Sequence, residues 1–288
     1  MHKVILDCDN TMGLEGKDVD DGLTLLYLLG RKDIELSGVT LTHGNGTIEE
    51  VSNNTRRVFE DLNLKHVKYY VGANAIENRY SEAAKFLAEE TRRYPKDITI
   101  LATGSMSNLY GAYLYDNEFF NNVKNIVIMG GIIAPLTIGK VDVKELNLSC
   151  DYEATFEVLT SGTNITILNG HTSLQALFGE AEIEYVRKSN NYLLNYIYNS
   201  IVPWCKHMEE YFGIKGFCNW DAAAAIYITN PELFDENIVN VLPSKELLKS
   251  GYITLSEDGN NKINMPSSIK NLKEFNNILI SSWEQLDL

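Results

Sequence analysis

The chain is poor in everything that marks a secreted, membrane-spanning or nucleic-acid-binding protein. Four cysteines, Cys8, Cys150, Cys205 and Cys218, form no CxxC pair, so neither a zinc site nor a disulfide framework is indicated and reduced thiols are expected. Lys and Arg number 25 against 39 Asp and Glu, a net charge of −14. Nucleic acid and anionic membrane surfaces both need clustered cations, so neither is expected as a partner. No apolar run reaches membrane-spanning length, and Asp7 arrives before any signal-length apolar segment, so cytoplasmic residence is expected. The five histidines are isolated, and none has the spaced partner of a catalytic triad. Six prolines and 20 glycines, without low-complexity tracts, argue against a disordered chain.

What is present is a patterned α/β sequence. Strand-like runs at Val4–Leu6, Ile34–Leu41, Val67–Val71, Ile98–Ala102, Asn125–Met129 and Ile165–Leu168 alternate with helical patterns. Among the helices, Val19–Leu29 carries acids in its first turn, Thr47 and Glu50 are spaced as a capping box, and Ser81–Tyr94 stops at Pro95. Ile132–Lys144 reads as irregular and Ala181–Ile228 as mainly helical. Tyr252–Leu255 and Lys262–Asn264 flank a turn as a hairpin would. This alternation predicts right-handed βαβ units in one domain over residues 1–288, an open, mostly parallel (mixed) sheet with helices on both faces. Ligands of such sheets bind outside the strands' carboxyl ends, so Asp7, Asp9, Asn45, Thr103 and Gly130 are expected on one rim.

The strongest chemical signal is the run Asp7-Cys8-Asp9-Asn10-Thr11, followed by Asp18, Asp20 and Asp21 at the next helix start. Solvated turn acids and a helix cap are the plain alternative for any one of them. Several carboxylates on adjoining edges repel one another unless a cation lies among them, and all-oxygen ligands favour calcium or magnesium. Asp221 opens a small-residue helix after Trp220, where an Asp is as readily a cap. Glu145 and Asn147 project to one side of an extended segment and suit a polyol such as ribose, or a surface turn. Tyr192, Tyr196, Tyr198, Trp204 and Tyr211 are candidates for a base-stacking wall, with core packing as the alternative.

Taken together, from Val4 to about Pro231, these residues resemble the nucleoside hydrolase family. The matching pieces are Asp7-Cys8-Asp9 with Asp20-Asp21, Gly44-Asn45, Ala102 to Asn108, Ile128-Met129-Gly130-Gly131, Glu145-Leu146-Asn147 and Trp220-Asp221. The resemblance implies a Rossmann-like nucleoside hydrolase fold and calcium-dependent hydrolysis of a nucleoside to base and ribose. It implies calcium held by Asp9, Asp21, the Thr103 carbonyl and Asp221, with Asp9 as general base on metal-bound water. Asp20, Asn45, Glu145 and Asn147 would grip the ribose. Trp220, where many members have His, resembles the purine-preferring branch, in which an indole stacks on the base and favours its protonation. A role in nucleoside salvage and a homo-oligomer, dimer or tetramer, are further implications. Two departures stand out: the loop Asn10–Val19 is longer than the family's spacer, and the stretch from Gly72 to Pro95 lacks the His- and Gly-rich insert that covers the base in relatives.

Two other classes compete. A strand followed by DxDxT, here Asp7-x-Asp9-x-Thr11, also matches HAD-type magnesium phosphatases, with Asp7 as nucleophile. That class needs a late strand ending in an acid pair, whereas the late strands here end in Met129-Gly130-Gly131 and Asn169-Gly170. The third class is a nucleoside- or sugar-binding protein without catalysis.

Overall fold

The computed structural model describes residues 1–74, 76 and 78–288; Ala75 and Glu77, inside the Gly72–Pro95 stretch, lie outside the described residues. The strands are β1 (His2–Cys8), β2 (Ile34–Leu41), β3 (Tyr69–Val71), β4 (Ile98–Ala102), β5 (Asn125–Met129), β6 (Leu136–Ile138), β7 (Val141–Val143), β8 (Ile165–Leu168), β9 (Leu177–Phe178), β10 (Phe217–Cys218), β11 (Ile238–Val241) and β12 (Asn261–Asn264). The helices are α1 (Asp20–Gly30), α2 (Ile48–Asp61), α3 (Glu82–Arg93), α4 (Ser107–Tyr115), α5 (Phe119–Asn122), α6 (Tyr152–Leu159), α7 (Gly170–Ser173), α8 (Glu180–Lys188), α9 (Tyr192–His207), α10 (Trp220–Thr229), α11 (Lys245–Leu248) and α12 (Leu272–Glu284).

Eight of the described strands form one sheet in the order β11-β12-β8-β5-β4-β1-β2-β3, parallel throughout except for β11 against β12. The inner strands β4 and β8 are buried along their whole length. That is why they read as continuous β-branched runs and not as alternating patterns: both sheet faces are covered. Chain order reverses between β1 and β4, and a crevice opens at such a switch point.

The helix that carries the first acids is held unusually firmly. Nearly every residue of α1 is buried. On one side Ala222–Ala225 of α10 let that helix come close, and on the other α12 pins its backbone. Trp283 Nε1 donates to Leu23 O at 3.1 Å, and Ser282 Oγ donates to Tyr27 O at 2.7 Å. A methyl group on Gly30 would stand 1.9 Å from Ser282 O, so only glycine permits the crossing.

Two expectations are corrected. Ile132–Lys144 is not irregular: β6 and β7 form an antiparallel hairpin within it, too short for a periodic signal. The stretch from Ala181 to Ile228 is mainly helical as expected, with a break at residues 213–219, where Gly213 turns left-handed and β10 pairs with β9. Tyr252–Leu255 does not pair with the strand after it. β12 takes β11 and β8 as neighbours, while Tyr252 and Leu255 make isolated bridges to Ile132 and Val241.

Candidate active site

At the switch point lies a cavity of about 210 Å³ with two unlike walls. The polar wall brings together Asp9, Asp18, Asp20, Asp21, Asn45, Thr103, Glu145, Asn147 and Asp221, so every residue expected to hold metal, ribose or base, Trp220 included, lines one cavity. The other wall is apolar: Met129, Ile132, Leu136, Ile138, Val143, Trp204, Met208, Phe212 and Trp220.

Each polar side chain is placed by its element. Asp9 leaves the pleat just past β1, and its Oδ2 accepts the Asn45 N–H at 2.5 Å. Asp20 and Asp21 sit in the first turn of α1. Asp21 accepts the Thr103 hydroxyl at 2.7 Å, and Asp20 accepts the Asp221 N–H at 3.2 Å, joining α1 to α10. Asn147 Nδ2 donates to the carbonyls of Thr103 and Met129 at 2.9 and 3.0 Å. Glu145 accepts three backbone N–H groups, from Gly131, Leu148 and Ser149.

Burial pushes the carboxyl groups of Asp9, Asp18, Asp20, Asp21 and Asp221 upward, and each feels its acidic neighbours. Asp9 acts on Asp21, and Asp20 on Asp18, as a neighbouring like charge. Among the described residues no three His, Cys, Asp or Glu side chains gather around one point as a ready set of metal ligands. The donor chemistry nonetheless fits a hard divalent cation: buried carboxylates and a main-chain carbonyl, all oxygen, whose crowded charge meets only Lys144 among the described lining residues.

Five residues depart from expectation, Asp7 and four tyrosines of the aromatic group. Asp7 is off the rim: it is fully buried, and its Oδ1 accepts the Thr40 hydroxyl at 2.6 Å and Asn108 Nδ2 at 2.8 Å. A phosphatase nucleophile there would have no access to substrate. Tyr192 and Tyr196 are not part of a base wall, since their hydroxyls donate outward to Asp61. Of the aromatic group only Trp204 lines the cavity. Asp18, Met208, Phe212 and the β6–β7 hairpin were missed as cavity residues. The signal for Met208 and Phe212 was their spacing of four and eight from Trp204, one helical face.

An acidic cleft at the switch point of a mostly parallel sheet is the kind of site that takes a small-molecule ligand. The family description "Inosine-uridine preferring nucleoside hydrolase" matches residues 4–276, and the chain belongs to this nucleoside hydrolase family. It is therefore an enzyme of that kind, cleaving the bond between nucleoside base and sugar. Uridine nucleosidase 1 of Arabidopsis thaliana is 26% identical over 264 residues, 81% of this chain and 75% of that protein. The inosine-uridine preferring nucleoside hydrolase of Leishmania major is 24% identical over 268 residues, 83% of this chain and 82% of that protein. Among solved structures, the purine-preferring ribonucleoside hydrolase from Gardnerella vaginalis shares the fold with a TM-score of 0.85 at 22% identity, over 99% of this chain and 98% of that one. No described helix is long and apolar enough to cross a membrane.

Proposed function

We propose that this nucleoside hydrolase cleaves the N-glycosidic bond of ribonucleosides, purine nucleosides ahead of pyrimidine ones, with calcium as its metal. The observation that carries the reading is the two-walled cavity: sugar hydroxyls need dense hydrogen-bonding groups, a base needs flat apolar ones, and here the two adjoin. Asp9, Asp21, the Thr103 carbonyl and Asp221 would hold calcium, which when bound supplies charge that orients sugar oxygens and acidifies water.

The chain's own residues do the rest. Asp9, fixed by the Asn45 N–H, is the general base that takes the proton of the attacking water at Oδ. Asp20, Asn45, Glu145 and Asn147 receive the ribose hydroxyls. Three backbone N–H bonds hold the Glu145 carboxylate in one rotamer, so its aim is set before substrate arrives. As the glycosidic bond breaks the sugar becomes cationic, and the acidic wall stabilises that charge. Trp220 stacks on the leaving base and favours its protonation; the larger overlap with a fused ring supports the purine preference. A homo-oligomer, dimer or tetramer, built from one domain spanning residues 1–288 completes the reading.

The test is incubation of the calcium-loaded protein with inosine, adenosine, guanosine, uridine and a phosphomonoester. Free ribose from inosine faster than from uridine is expected. Faster release from uridine would overturn the purine preference, since relatives include a protein named as a uridine nucleosidase. Phosphate without ribose, or binding without turnover, would overturn the reading as a whole.

A further inference from the structure

Of the stretch from Ala102 to Asn108 only Thr103 lines the cavity. Its two serines enter a row of buried hydroxyls instead. The hydroxyl oxygens of Thr42, just past β2, and Ser105 lie 2.6 Å apart, and Ser105 Oγ donates to Ser107 Oγ at 3.4 Å. Ser107 Oγ donates to Asp151 Oδ2 at 2.7 Å, which fixes the direction of the row: each hydroxyl donates to the next, and the last to a carboxylate. Thr42, Ser105, Ser107 and Asp151 are all fully buried. From the other side Arg79 closes on Asp151 with Nε at 2.8 Å and Nη2 at 2.7 Å, its guanidinium over the Tyr110 ring. The Ala154 N–H adds a fourth bond at 3.1 Å, so the carboxylate is saturated and caps α6. What α6 holds in turn is the segment that faces the sugar. Thr155 Oγ1, in its first turn, donates to Leu148 O at 2.8 Å. The Leu148 N–H is one of the three that fix Glu145, and the neighbouring Asn147 donates to Thr103 O at 2.9 Å. Segments 103–107 and 145–151 are therefore joined twice, by Asn147 and Thr103 at the cavity and by Asp151 and Ser107 outside its lining.

We infer that Ser107, Asp151 and Arg79 are positioning residues for the sugar: by anchoring the head of α6 they hold Glu145 and Asn147 in register with the Thr103 carbonyl, and they touch no substrate. This rests on the ribonucleoside reading above. Through Arg79 the stretch from Gly72 to Pro95 serves the site from outside the cavity. The metal ligands are set by other elements, Asp9 by the end of β1, Asp21 by α1 and Asp221 by α10, so the network acts on sugar and not on calcium.

The experiment compares the calcium-loaded wild type with three variants. Ser107→Ala deletes the hydroxyl and leaves Asp151 paired with Arg79. Arg79→Lys keeps the charge beside Asp151 and gives up the two-pronged grip. Thr91→Ala is the control: Thr91 is as buried as Ser107, but its hydroxyl bonds only within α3, to Leu87 O at 2.8 Å and Ala88 O at 3.3 Å. Steady-state kcat and KM for inosine, inhibition by free ribose, calcium affinity by titration calorimetry and thermal melts are measured. With two sugar-binding groups displaced, each contact being worth a few-fold, KM and the ribose inhibition constant should rise together about tenfold in Ser107→Ala and Arg79→Lys, while kcat changes less than about threefold. Calcium affinity should stay put, and Thr91→Ala should match wild type in KM and ribose inhibition whatever its Tm. Unchanged KM and ribose inhibition in Ser107→Ala and Arg79→Lys, a loss of calcium affinity in place of sugar affinity, or the same rise in Thr91→Ala overturns the inference. Should Ser107→Ala fail to fold, Arg79→Lys carries the same comparison. A wild type that releases no ribose from any nucleoside fails the underlying reading instead, so the two failures are distinct.

Discussion

Gly44→Ala is the sharpest test of where Asp9 must stand. Gly44 lies outside left-handed backbone space, so alanine carries no intrinsic penalty there. The added Cβ, however, would lie 2.1 Å from Asp9 Oδ2 and 3.2 Å from its Cγ, whereas ordinary contact begins at 3.4 Å. The carboxylate must therefore retreat by more than an ångström, which means rotating away from the Asn45 N–H that now fixes it. Losing a hydrogen bond to a charged acceptor costs about 1.5–3 kcal/mol, a fall of a few degrees in Tm for a chain of this size. The catalytic cost is larger, because a displacement of about 1 Å in a reacting group is worth roughly 10²-fold in rate. The expected result is a folded protein with Tm within several degrees of wild type and kcat on inosine down about a hundredfold. Ribose release and a thermal melt measure both. A Gly44→Ala protein with wild-type kcat would refute the placement of Asp9 as the base.

Asp9→Asn should fold and lose about 10²–10⁴ in kcat, as expected for removal of a general base; wild-type turnover in a metal-loaded variant would sink the mechanism. In EDTA, stability should fall as pH rises. Asp7, pushed up to about 7 by burial, favours the folded state fully below its unfolded value near 3.8, and loses that contribution as pH climbs through 7, roughly 4 kcal/mol in all. Asp7→Asn should therefore flatten the drop in Tm between pH 5 and pH 8, and an unchanged slope would show that Asp7 does not titrate there. Calcium at a hundred times its Kd should add about 2.7 kcal/mol at pH 8, read as a higher Tm than in EDTA; an identical Tm would argue against the metal. Arg79 forms a buried bidentate pair with Asp151, at 2.7 and 2.8 Å, which also accepts the Ser107 hydroxyl. Arg79→Met strands that carboxylate and should cost about 3–5 kcal/mol; a melt within 2 °C or so of wild type would contradict the pairing.

What the sequence revealed follows the range of the forces involved. Strands β4, β5 and β8 were readable to the residue, because each is a short, mostly apolar run bounded by glycine or polar residues. The α2 capping box was equally plain, since Thr47 and Glu50 satisfy each other three residues apart. The pairing of β12 with β11 was not readable: both partners of Lys262 and Asn240 are ordinary surface residues, and only tertiary contact chooses between β11 and the stretch Tyr252–Leu255. Asp7 and Asp9 looked equivalent as letters. They part company because β1 ends at Cys8, which leaves Asp7 in the pleat facing Thr40 and Asn108 while Asp9 turns into the cavity.

The long loop from Asn10 to Val19 is no loose flap. Met12 is fully buried beneath Gly22, its carbonyl accepts the Arg57 guanidinium, and Asn54 reaches the Asn10 and Met12 carbonyls. Thr11 accepts Asn45 Nδ2 and donates to the Asp18 carbonyl, while Lys17 Nζ donates to the Asn45 carbonyl. The loop therefore clamps Asn45, whose N–H fixes Asp9, and delivers Asp18 to the cavity. Five aspartates and Glu145 then face one lysine, Lys144. A divalent cation would offset two of those charges and leave the wall acidic. Such a wall attracts a sugar that turns cationic as it loses its base and repels a 5′-phosphate, which points to nucleosides over nucleotides as substrates.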